Sequence, residues 1–339
     1  MKLIRTEDAA GQVLCHDITQ IIRGVKKDAV FRKGHVITPE DIPVLLSVGK
    51  EHIYIWENDD SMLHENDAAL VLYDLCKNEH MLSSEIKEGK IELIAQCDGL
   101  FQADRKKLRQ INALGEMMIA CRHGGFPVHA GDKLAGMRVI PLVIEKEKMQ
   151  RAKEIGGTEP IFALKPFLTE TAGIVTTGSE VYYGRIRDTF TPVIIEKLSE
   201  YGITVIGQEL SDDDPKKTAA AIEKLLYMGA EAIVCTGGMS VDPDDKTPAA
   251  IRSVTDTVVT YGAPILPGAM FLLAYTKTGI PVMGLPGCVM YAKRTIFDLV
   301  LPRVAAGERL KRQDFVRMGE GGLCLSCLEC TFPNCGFGK

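Results

Sequence analysis

Three short, continuous apolar runs in the C-terminal half of the chain each end at a loop of small and polar residues. The runs are Ala172–Val175, Ala232–Cys235 and Ile280–Met283. Such runs are typical of strands buried on both faces, as in a parallel sheet covered by helices. The loops that follow are Thr176–Glu180, Thr236–Ser240 and Gly284–Gly287. Because ligands bind beyond the carboxyl ends of parallel strands, we expect the three loops to meet at one edge of the sheet.

The segments between these runs have the pattern of amphipathic helices. Asp214-Pro215 provides an N-cap and a first-turn proline for a helix that ends at Gly229, and Thr191-Pro192 begins another that ends at Gly202. The alternation of strands and helices predicts βα repeats and hence an α/β domain.

The three loops have the chemistry of a site for a polar, phosphorylated ligand. Glycines allow the backbone to approach a ligand closely, backbone N–H groups bind anions, and hydroxyl groups supply adaptable hydrogen bonds. The alternative is a doubly wound domain whose glycines only make tight turns. Three such loops at strand ends, with acidic residues beside them, favour the ligand site.

The stretch from about Gly173 to Arg303 resembles the molybdopterin-binding domain shared by molybdopterin adenylyltransferases and molybdopterin molybdenumtransferases. The matching segments are Thr177–Glu180, Gly184–Asp188, Asp213–Pro215, Gly237–Val241 with Asp245, and Leu285–Gly287. Their order and spacing fit the family as a set. The resemblance implies a three-layer α/β/α domain with a mostly parallel sheet, preceded here by smaller β-rich and α+β modules. It also implies a role in molybdenum cofactor biosynthesis.

The same resemblance implies the residues of the site. In the family, acidic side chains hold Mg²⁺ and act on the adenylate or molybdate, and by position these are Asp245, Glu180 and Asp213. The ligand would be adenylated molybdopterin, with molybdate as the second substrate. The expected contacts to the pterin and its phosphate are Thr176, Thr177, Gly178, Ser179, Asp188, Gly237, Gly238, Ser240, Leu285, Pro286 and Gly287.

The charge of the chain explains why such a site would use a cation. The formal net charge is −5, so the protein has no general attraction for polyanions, and we expect no nucleic-acid binding. A phosphorylated ligand would be repelled by Asp242, Asp244 and Asp245 unless Mg²⁺, bound by carboxylates and phosphate oxygens, lay between them. Alternatively, this acidic turn only caps a helix beginning near Thr247-Pro248.

The chain departs from the molybdenumtransferase pattern in three places. Cys288-Val289 stands where those enzymes have Asn-Pro, Pro267–Met270 lacks their lysine, and their N-terminal Met-Asp-Gly-Tyr-Ala signature is missing. These departures favour molybdopterin binding, rather than molybdate insertion, as the property that this chain shares with the molybdenumtransferases. A non-catalytic cofactor carrier or sensor and a nucleotide phosphoanhydride hydrolase stay open beside the molybdenumtransferase-like enzyme. Cys288 is either a packing residue or a ligand-facing thiol.

The sequence before the pterin domain, which we place at residues 169–310, has weaker patterns. Residues 1–58 are interpreted as a small β-rich module, of which Arg32–Asp41 resembles the module preceding the pterin domain in molybdenumtransferases. Its predicted elements are strands at Val13-Leu14, Val30-Phe31 and Ile53–Trp56 and a helix starting at Thr38-Pro39. Residues 59–168 are interpreted as a middle α+β domain and linker, and we expect a C2 homodimer that completes the pterin cleft. The elements predicted there are helices at Ala68–Leu75, Lys106–Ile119 and Glu145–Glu154 and strands at Ile91–Ala95 and Met137–Ile144.

Residues 311–339 form a cysteine-rich tail. Cys324, Cys327, Cys330 and Cys335 follow the spacing C-x2-C-x2-C-x4-C. A cysteine every third residue lets one loop turn its thiolates inward, as in the C-x2-C-x2-C-x3-C-P run of ferredoxin-type iron–sulfur clusters. Zn²⁺ is the alternative, although its sites more often use two C-x2-C knuckles with a long spacer. The tail could also dock to a molybdoenzyme.

The remaining patterns concern the compartment. No apolar stretch approaches the about 20 residues of a transmembrane helix, and Met1–Asp8 has no apolar run typical of a signal peptide. We therefore expect a cytoplasmic protein without membrane binding, in which a disulfide framework is disfavoured.

Overall fold

The computed structural model describes residues 2–22, 26–55, 59–240, 242–243 and 245–339. The helices in this part of the chain are α1 Asp41–Ser47, α2 Glu65–Cys76, α3 Arg105–Asn112, α4 Lys146–Gly156, α5 Ser179–Tyr182, α6 Phe190–Ser199, α7 Pro215–Tyr227, α8 Thr247–Val254, α9 Ile296–Ala305 and α10 Arg312–Arg317, with single 3₁₀ turns at Thr6–Asp8 and Gly287–Met290. The strands are β1 Lys2–Arg5, β2 Ile18–Ile22, β3 Lys26–Phe31, β4 His52–Ile55, β5 Met62–His64, β6 Met81–Ser83, β7 Lys90–Ala95, β8 Gly99–Ala103, β9 Met117–Cys121, β10 Phe126–Val128, β11 Lys133–Val139, β12 Val143–Glu145, β13 Phe162–Pro166, β14 Thr171–Thr177, β15 Thr204–Ser211, β16 Ala232–Thr236, β17 Thr257–Tyr261, β18 Leu272–Tyr275 and β19 Pro281–Leu285.

Contacts between residues group the chain into two compact units. The first comprises Met1–Ala95, Ala103–Arg122 and Asp132–Ala163, and the second comprises Gln96–Gln102, His123–Gly131 and Leu164–Lys339. The division predicted from the sequence, at residues 1–58, 59–168, 169–310 and 311–339, stays a prediction.

The first unit contains an antiparallel sheet in the order β6-β7-β11-β9 and three separate strand pairs, β1-β4, β2-β3 and β5-β12. Helix α2 contacts β7 and β11, and Leu72, Leu93 and Met137 are fully buried. The predicted strand at Ile91–Ala95 and the helices at Ala68–Leu75 and Glu145–Glu154 are confirmed. These elements have strong periodicity along the chain, because each buries one face.

The helix predicted over Lys106–Ile119 is wrong in its second half. Helix α3 ends at Asn112, and Met117–Cys121 is strand β9. Gly115 and Glu116 have φ values of +74° and +59°, which end the helix in a turn. The Asn112 side chain then bonds to both backbone groups of Ile119 at 2.8 and 2.9 Å, holding the strand against the helix end.

Smaller corrections concern the ends of elements in the first unit. Helix α1 begins at Asp41 and not at Pro39, the residue expected to follow a Thr38 N-cap. The Asp41 carboxylate accepts a hydrogen bond from the Thr38 N–H at 2.8 Å and holds Thr38 in a preceding turn. The strand predicted over Met137–Ile144 is divided between β11 and β12, and Val13-Leu14 makes only isolated bridges. Trp56, the end of the predicted Ile53–Trp56 strand, lies outside the described residues.

The second unit is built on a six-stranded sheet in the order β15-β14-β16-β19-β18-β17. The pairs β14-β15, β14-β16 and β16-β19 are parallel, and β18 is antiparallel to both of its neighbours. The predicted mostly parallel sheet is therefore confirmed. All three apolar runs singled out in the sequence are neighbouring strands of this sheet.

Helices cover both faces of this sheet. Ile174 packs on one face with Ile194 of α6 and Val300 of α9. Val175, its neighbour in β14, packs on the other face with residues of α7 and α8 such as Leu225. The central strands are apolar on both sides for this reason, and the second unit is a three-layer α/β/α domain.

The predicted starts of the helices in this domain are close to the observed ones. The Asp214 carboxylate caps α7 by accepting a hydrogen bond from the Lys216 N–H at 2.9 Å. Helix α6 begins at Phe190, one residue before the predicted Thr191. Helix α8 begins at Thr247 as expected, with Pro248 in its first turn.

Candidate functional site

The carboxyl ends of four parallel strands lie along one edge of the sheet. In the register of the sheet, Thr176 pairs with Thr236, Thr236 with Leu285, and Thr177 with Ser211. The loops after β14, β16 and β19 therefore start side by side, as the sequence predicted. The loop after β15, Asp212–Asp214, joins them at the same edge.

Buried hydroxyl groups connect the first two loops. The Thr177 side chain donates to the carbonyl oxygen of Thr236 at 3.1 Å, and its oxygen lies 2.9 Å from the hydroxyl of Thr247 at the start of α8. Gly237 follows directly, with a φ of +84°. These contacts set the position of the Gly237-Gly238 backbone, which the family resemblance assigns to the ligand.

Ser179 and Asp213 connect the loops after β14 and β15. The Ser179 hydroxyl and N–H both donate to Oδ2 of Asp213, at 2.6 and 3.2 Å. A cleft of about 350 Å³ opens beside this pair, and its lining is Ser179, Asp212, Asp213, Asp214, Pro215 and Lys246. Lys246 belongs to the loop after β16, so three of the four loops contribute to one cleft.

Asp245 is held by its own loop. Its Oδ2 accepts a hydrogen bond from the N–H of Ser240 at 2.8 Å, and its N–H donates to the carbonyl of Asp242 at 3.0 Å. The Tyr261 hydroxyl donates to the carbonyls of Met239 and Ser240 at 3.2 and 3.3 Å. Asp245 thus closes the loop and does not cap α8, whose start has no side-chain cap. Val241 and Asp244 lie outside the described residues.

Asp188 lies in a polar cluster at the end of β14. Its carboxylate accepts hydrogen bonds from the N–H groups of Phe190 and Thr191, from the Thr191 hydroxyl at 2.6 Å, and from Gln208 at 2.7 Å. The hydroxyl of Thr176 donates to the same carboxylate at 3.3 Å. Burial opposes ionisation of this group, but the hydrogen bonds from Thr191, Phe190 and Gln208 outweigh it, so the pKa of Asp188 is below its ordinary value.

We expect replacement of Asp188 by alanine to destabilise the protein by about 1–2 kcal/mol at neutral pH, because helix α6 loses the carboxylate at its start. A carboxyl group with a lowered pKa stabilises the fold above its unfolded pKa, near about pH 4, and this contribution is lost as the pH falls through the lowered value. The difference between the parent and Asp188→Ala should therefore shrink below about pH 4, measured by urea unfolding. The control, Asp242→Ala in the exposed turn, should stay within about 0.5 kcal/mol of the parent. A difference that does not change with pH would contradict the role of the charge.

The other predicted residues differ in their exposure. Glu180 in α5, Ser240 and Gly287 are exposed, whereas Leu285 and Pro286 are buried. Cys288 is partly buried next to the third loop, and this burial raises the pKa of its thiol.

Two polar residues at this edge were not among the ligand contacts predicted from the sequence. The Thr236 hydroxyl is fully buried and has no hydrogen-bond partner among the described residues, although buried polar groups usually have one. Gln208 of β15 bonds to Asp188, Thr191 and Thr176. For both residues, the sequence signal that could have identified them is a polar side chain near the end of a strand whose following loop contributes to the site.

The carboxylates of the site are not gathered around a single point. Within the described ranges, no group of three His, Cys, Asp or Glu side chains lies close enough to hold one metal ion. Asp213 and Asp245 nevertheless each use only Oδ2 in hydrogen bonds to described residues. Among the described residues, no hydrogen-bond partner is found for their Oδ1 atoms.

The four tail cysteines lie elsewhere in the second unit. Cys324, Cys327, Cys330 and Cys335 line a separate cavity of about 720 Å³, which shares no lining residue with the cleft at Asp213. In the described part of the chain, no helix is long and apolar enough to span a bilayer.

Comparison with known families agrees with this architecture. Residues 173–306 match the model of a family described as a probable molybdopterin binding domain. The part of the chain from residue 173 to residue 306 therefore belongs to this molybdopterin-binding family. Residues 3–57 match a domain of unknown function.

Individual relatives match shorter regions. The molybdopterin molybdenumtransferase of Synechococcus elongatus is 27% identical over 163 residues, which are 45% of this chain and 38% of that enzyme. A CinA-like protein of Mycobacterium sp. (strain MCS) is 34% identical over 84 residues, 25% of this chain and 20% of that protein. The matches thus span well under half the length of these relatives. The molybdopterin biosynthesis enzyme MoaB of Thermus thermophilus aligns with 42% of this chain and 99% of its own, at 23% identity and a TM-score of 0.36.

Proposed function

We propose that this protein binds adenylated molybdopterin at the carboxyl edge of the sheet and inserts molybdate with release of AMP, as a molybdenumtransferase-like enzyme. The observation that carries the proposal is the cleft in which Ser179, Asp213 and Lys246 come together from three different loops. The membership of residues 173–306 in a molybdopterin-binding family supports the nature of the ligand.

The charges around the cleft suit a phosphorylated ligand only in part. Lys246 lines the cleft and supplies a positive charge for a phosphate. The Gly237-Gly238 backbone belongs to the same loop as Lys246 but does not line this cleft, and the family resemblance assigns its N–H groups to the ligand. Asp212, Asp213 and Asp214 line the same cleft and would repel the ligand. A divalent cation between the carboxylates and the phosphates would remove this repulsion.

The described residues suit a Mg²⁺ ion held jointly by protein carboxylates and the phosphates of the ligand. They suit less well an ion held by protein side chains alone. Mg²⁺ binds through one or two carboxylates plus phosphate oxygens and waters, and the Oδ1 atoms of Asp213 and Asp245 have no hydrogen-bond partner among the described residues. Bound there, Mg²⁺ would stabilise the charge that develops on the phosphoanhydride. Ser179 and the Ser240 N–H hold the other oxygen of each carboxylate and so orient Oδ1. Glu180, on the exposed helix α5 that follows Gly178, is the third proposed acidic residue.

The proposal is tested by incubating the full chain with adenylated molybdopterin and Mg²⁺, with and without molybdate, and measuring AMP. We expect AMP release that depends on molybdate and on Mg²⁺. Tight pterin binding without AMP release would instead support a cofactor carrier or sensor. AMP formation that is independent of molybdate would support phosphoanhydride hydrolysis. The homodimer and the docking to a molybdoenzyme that the sequence suggested remain predictions.

A further inference from the structure

The cysteine-rich tail is a closed loop anchored on the second unit. The N–H of Gly338 donates to the carbonyl of Gly321 at 2.8 Å and closes the loop. Leu323 forms a parallel bridge with Leu266 at its start. Phe337 is only 4% exposed and belongs to the core of the α/β domain, and Phe332 packs against the same core. The sequence between these anchors, which contains all four tail cysteines, is thus held in a defined place.

The four cysteines of this loop line one cavity. Cys324 and Cys335 pack against the domain core, whereas Cys327 and Cys330 are exposed. All four line the cavity of about 720 Å³ as free thiols. All four belong to the described part of the chain, and no three of them are close enough to hold a single metal ion. The four thiols therefore line the same cavity but do not converge on a single point.

This arrangement distinguishes between the two metals that the spacing suggested. In a tetrahedral zinc site, four Zn–S bonds of about 2.3 Å draw all four sulfur atoms together around one ion. In a [4Fe–4S] cluster each of the four cysteines binds a different iron at the periphery, so the cysteine sulfur atoms stay further apart than in a zinc site. Four thiols that line one cavity without meeting at a single point are compatible with this second geometry.

The lining of the cavity includes two basic side chains and no acidic one. Four thiolates give a cysteine-bound cluster a net negative charge. Lys293 and Arg294 line the cavity, and no Asp or Glu is found among the described residues that line it. Arg294 is paired with Glu200 and Asp298 outside the lining, at 2.7 and 2.9 Å, so Lys293 is the cation that contributes most to the charge of the cavity. Lys293 donates to the carbonyl of Leu328, between Cys327 and Cys330, at 2.7 Å.

Apolar and aromatic side chains complete the lining. Leu323 and Leu325 line the cavity while being 61% and 78% exposed. The Arg294 guanidinium lies 5.1 Å from the centre of the Phe332 ring. Its ion pairs with Glu200 and Asp298 hold it at the cavity wall. Apolar surroundings and nearby cations are the features by which a protein shields and tunes a cluster.

We propose that this cavity binds a [4Fe–4S] cluster through Cys324, Cys327, Cys330 and Cys335. From a preformed cluster carrying small thiolate ligands, binding is an exchange of ligands. Each cysteine sulfur forms a bond to one iron as that iron loses its small thiolate. The cysteine proton leaves with the displaced thiolate as a thiol, and no oxidation state changes. The site is separate from the pterin cleft, so this proposal and the proposed function can fail independently.

The test uses the full chain, isolated without oxygen, mixed with a [4Fe–4S] cluster that carries 2-mercaptoethanol ligands and then desalted. We expect about four iron and four sulfide ions per chain and a broad visible absorption from sulfur-to-iron charge transfer. A parallel sample receives Zn²⁺ alone. Uptake of one tightly bound Zn²⁺ with no retained iron would overturn the proposal in favour of a mononuclear site. Retention of neither metal would overturn it as well.

Variants assign the ligands. Cys327→Ser and Cys330→Ser change exposed side chains, so the fold should survive, and each variant should lose most of the retained iron. The matched control is Cys97→Ser, a partly exposed cysteine outside the tail, which should retain as much iron as the parent. Circular dichroism verifies that each variant is folded. Equal iron retention in folded Cys327→Ser, Cys330→Ser and Cys97→Ser would contradict the proposed ligands.

Discussion

Asp245→Asn should slow molybdate-dependent AMP release by about 10²-fold or more, equivalent to about 2.7 kcal/mol of transition-state stabilisation, while pterin binding is kept. Asparagine retains an oxygen that can accept the hydrogen bond from the Ser240 N–H, seen at 2.8 Å for the aspartate, so the loop should keep its shape. It removes the negative charge that would hold Mg²⁺ or act on the phosphoanhydride. Single-turnover AMP release and pterin titration measure the two effects separately.

The matched control for this variant is Asp242→Asn in the same loop. Asp242 is exposed and contributes its backbone carbonyl to the turn, so its variant should have the turnover of the parent. Glu180→Gln and Asp213→Asn should resemble Asp245→Asn, each with a weaker Mg²⁺ dependence. Unchanged turnover in Asp245→Asn with intact pterin binding would refute the catalytic role and favour the carrier.

Gly237→Ala should destabilise the α/β domain by at least about 3 kcal/mol, enough to unfold a marginal protein. Two independent causes act at this position. The backbone φ of +84° is unfavourable for any residue with a Cβ. In addition, a Cβ here would overlap the backbone carbonyl oxygen of Thr177, which cannot move without disturbing strand β14.

Substitutions at two further glycines separate the effect of the positive φ from the effect of the overlap with Thr177. Gly229 has a φ of +95°, but a Cβ at this position would meet no heavy atom within 4 Å. Gly229→Ala should therefore cost only about 1 kcal/mol. At Gly287, where φ is not positive, a Cβ also meets nothing within 4 Å, and the cost of Gly287→Ala should be within about 0.5 kcal/mol. Urea unfolding followed by circular dichroism gives the three values. If Gly237→Ala and Gly229→Ala lower the free energy of unfolding equally, the overlap with Thr177 is relieved in the Gly237→Ala variant.

The predictions from sequence succeeded best where a local pattern and burial agree. Strands β14, β16 and β19 are apolar on both faces because they lie between two helical layers, and that environment leaves a continuous apolar run in the chain. Helix α7 was also predictable, since the Asp214 cap and the proline at its first position act within one turn. The prediction failed at the end of helix α3, where the positive φ values of Gly115 and Glu116 turn the chain. The Asn112 side chain then bonds to Ile119 and fixes strand β9, a contact that no hydrophobic periodicity signals.

The sequence alone determined the class of the domain, the edge at which its loops meet and the residue types available there. All of these follow from the order of apolar and polar residues and from hydrogen bonds between near neighbours. Only the tertiary structure decided how the carboxylates are used. The Asp188 carboxylate accepts hydrogen bonds from Thr191 and Gln208, whereas Asp213 and Asp245 each use only Oδ2 in hydrogen bonds to described residues. It also decided that the four tail thiols surround a cavity, because anchors far away in the chain, Leu266 and the domain core, set the path of that loop.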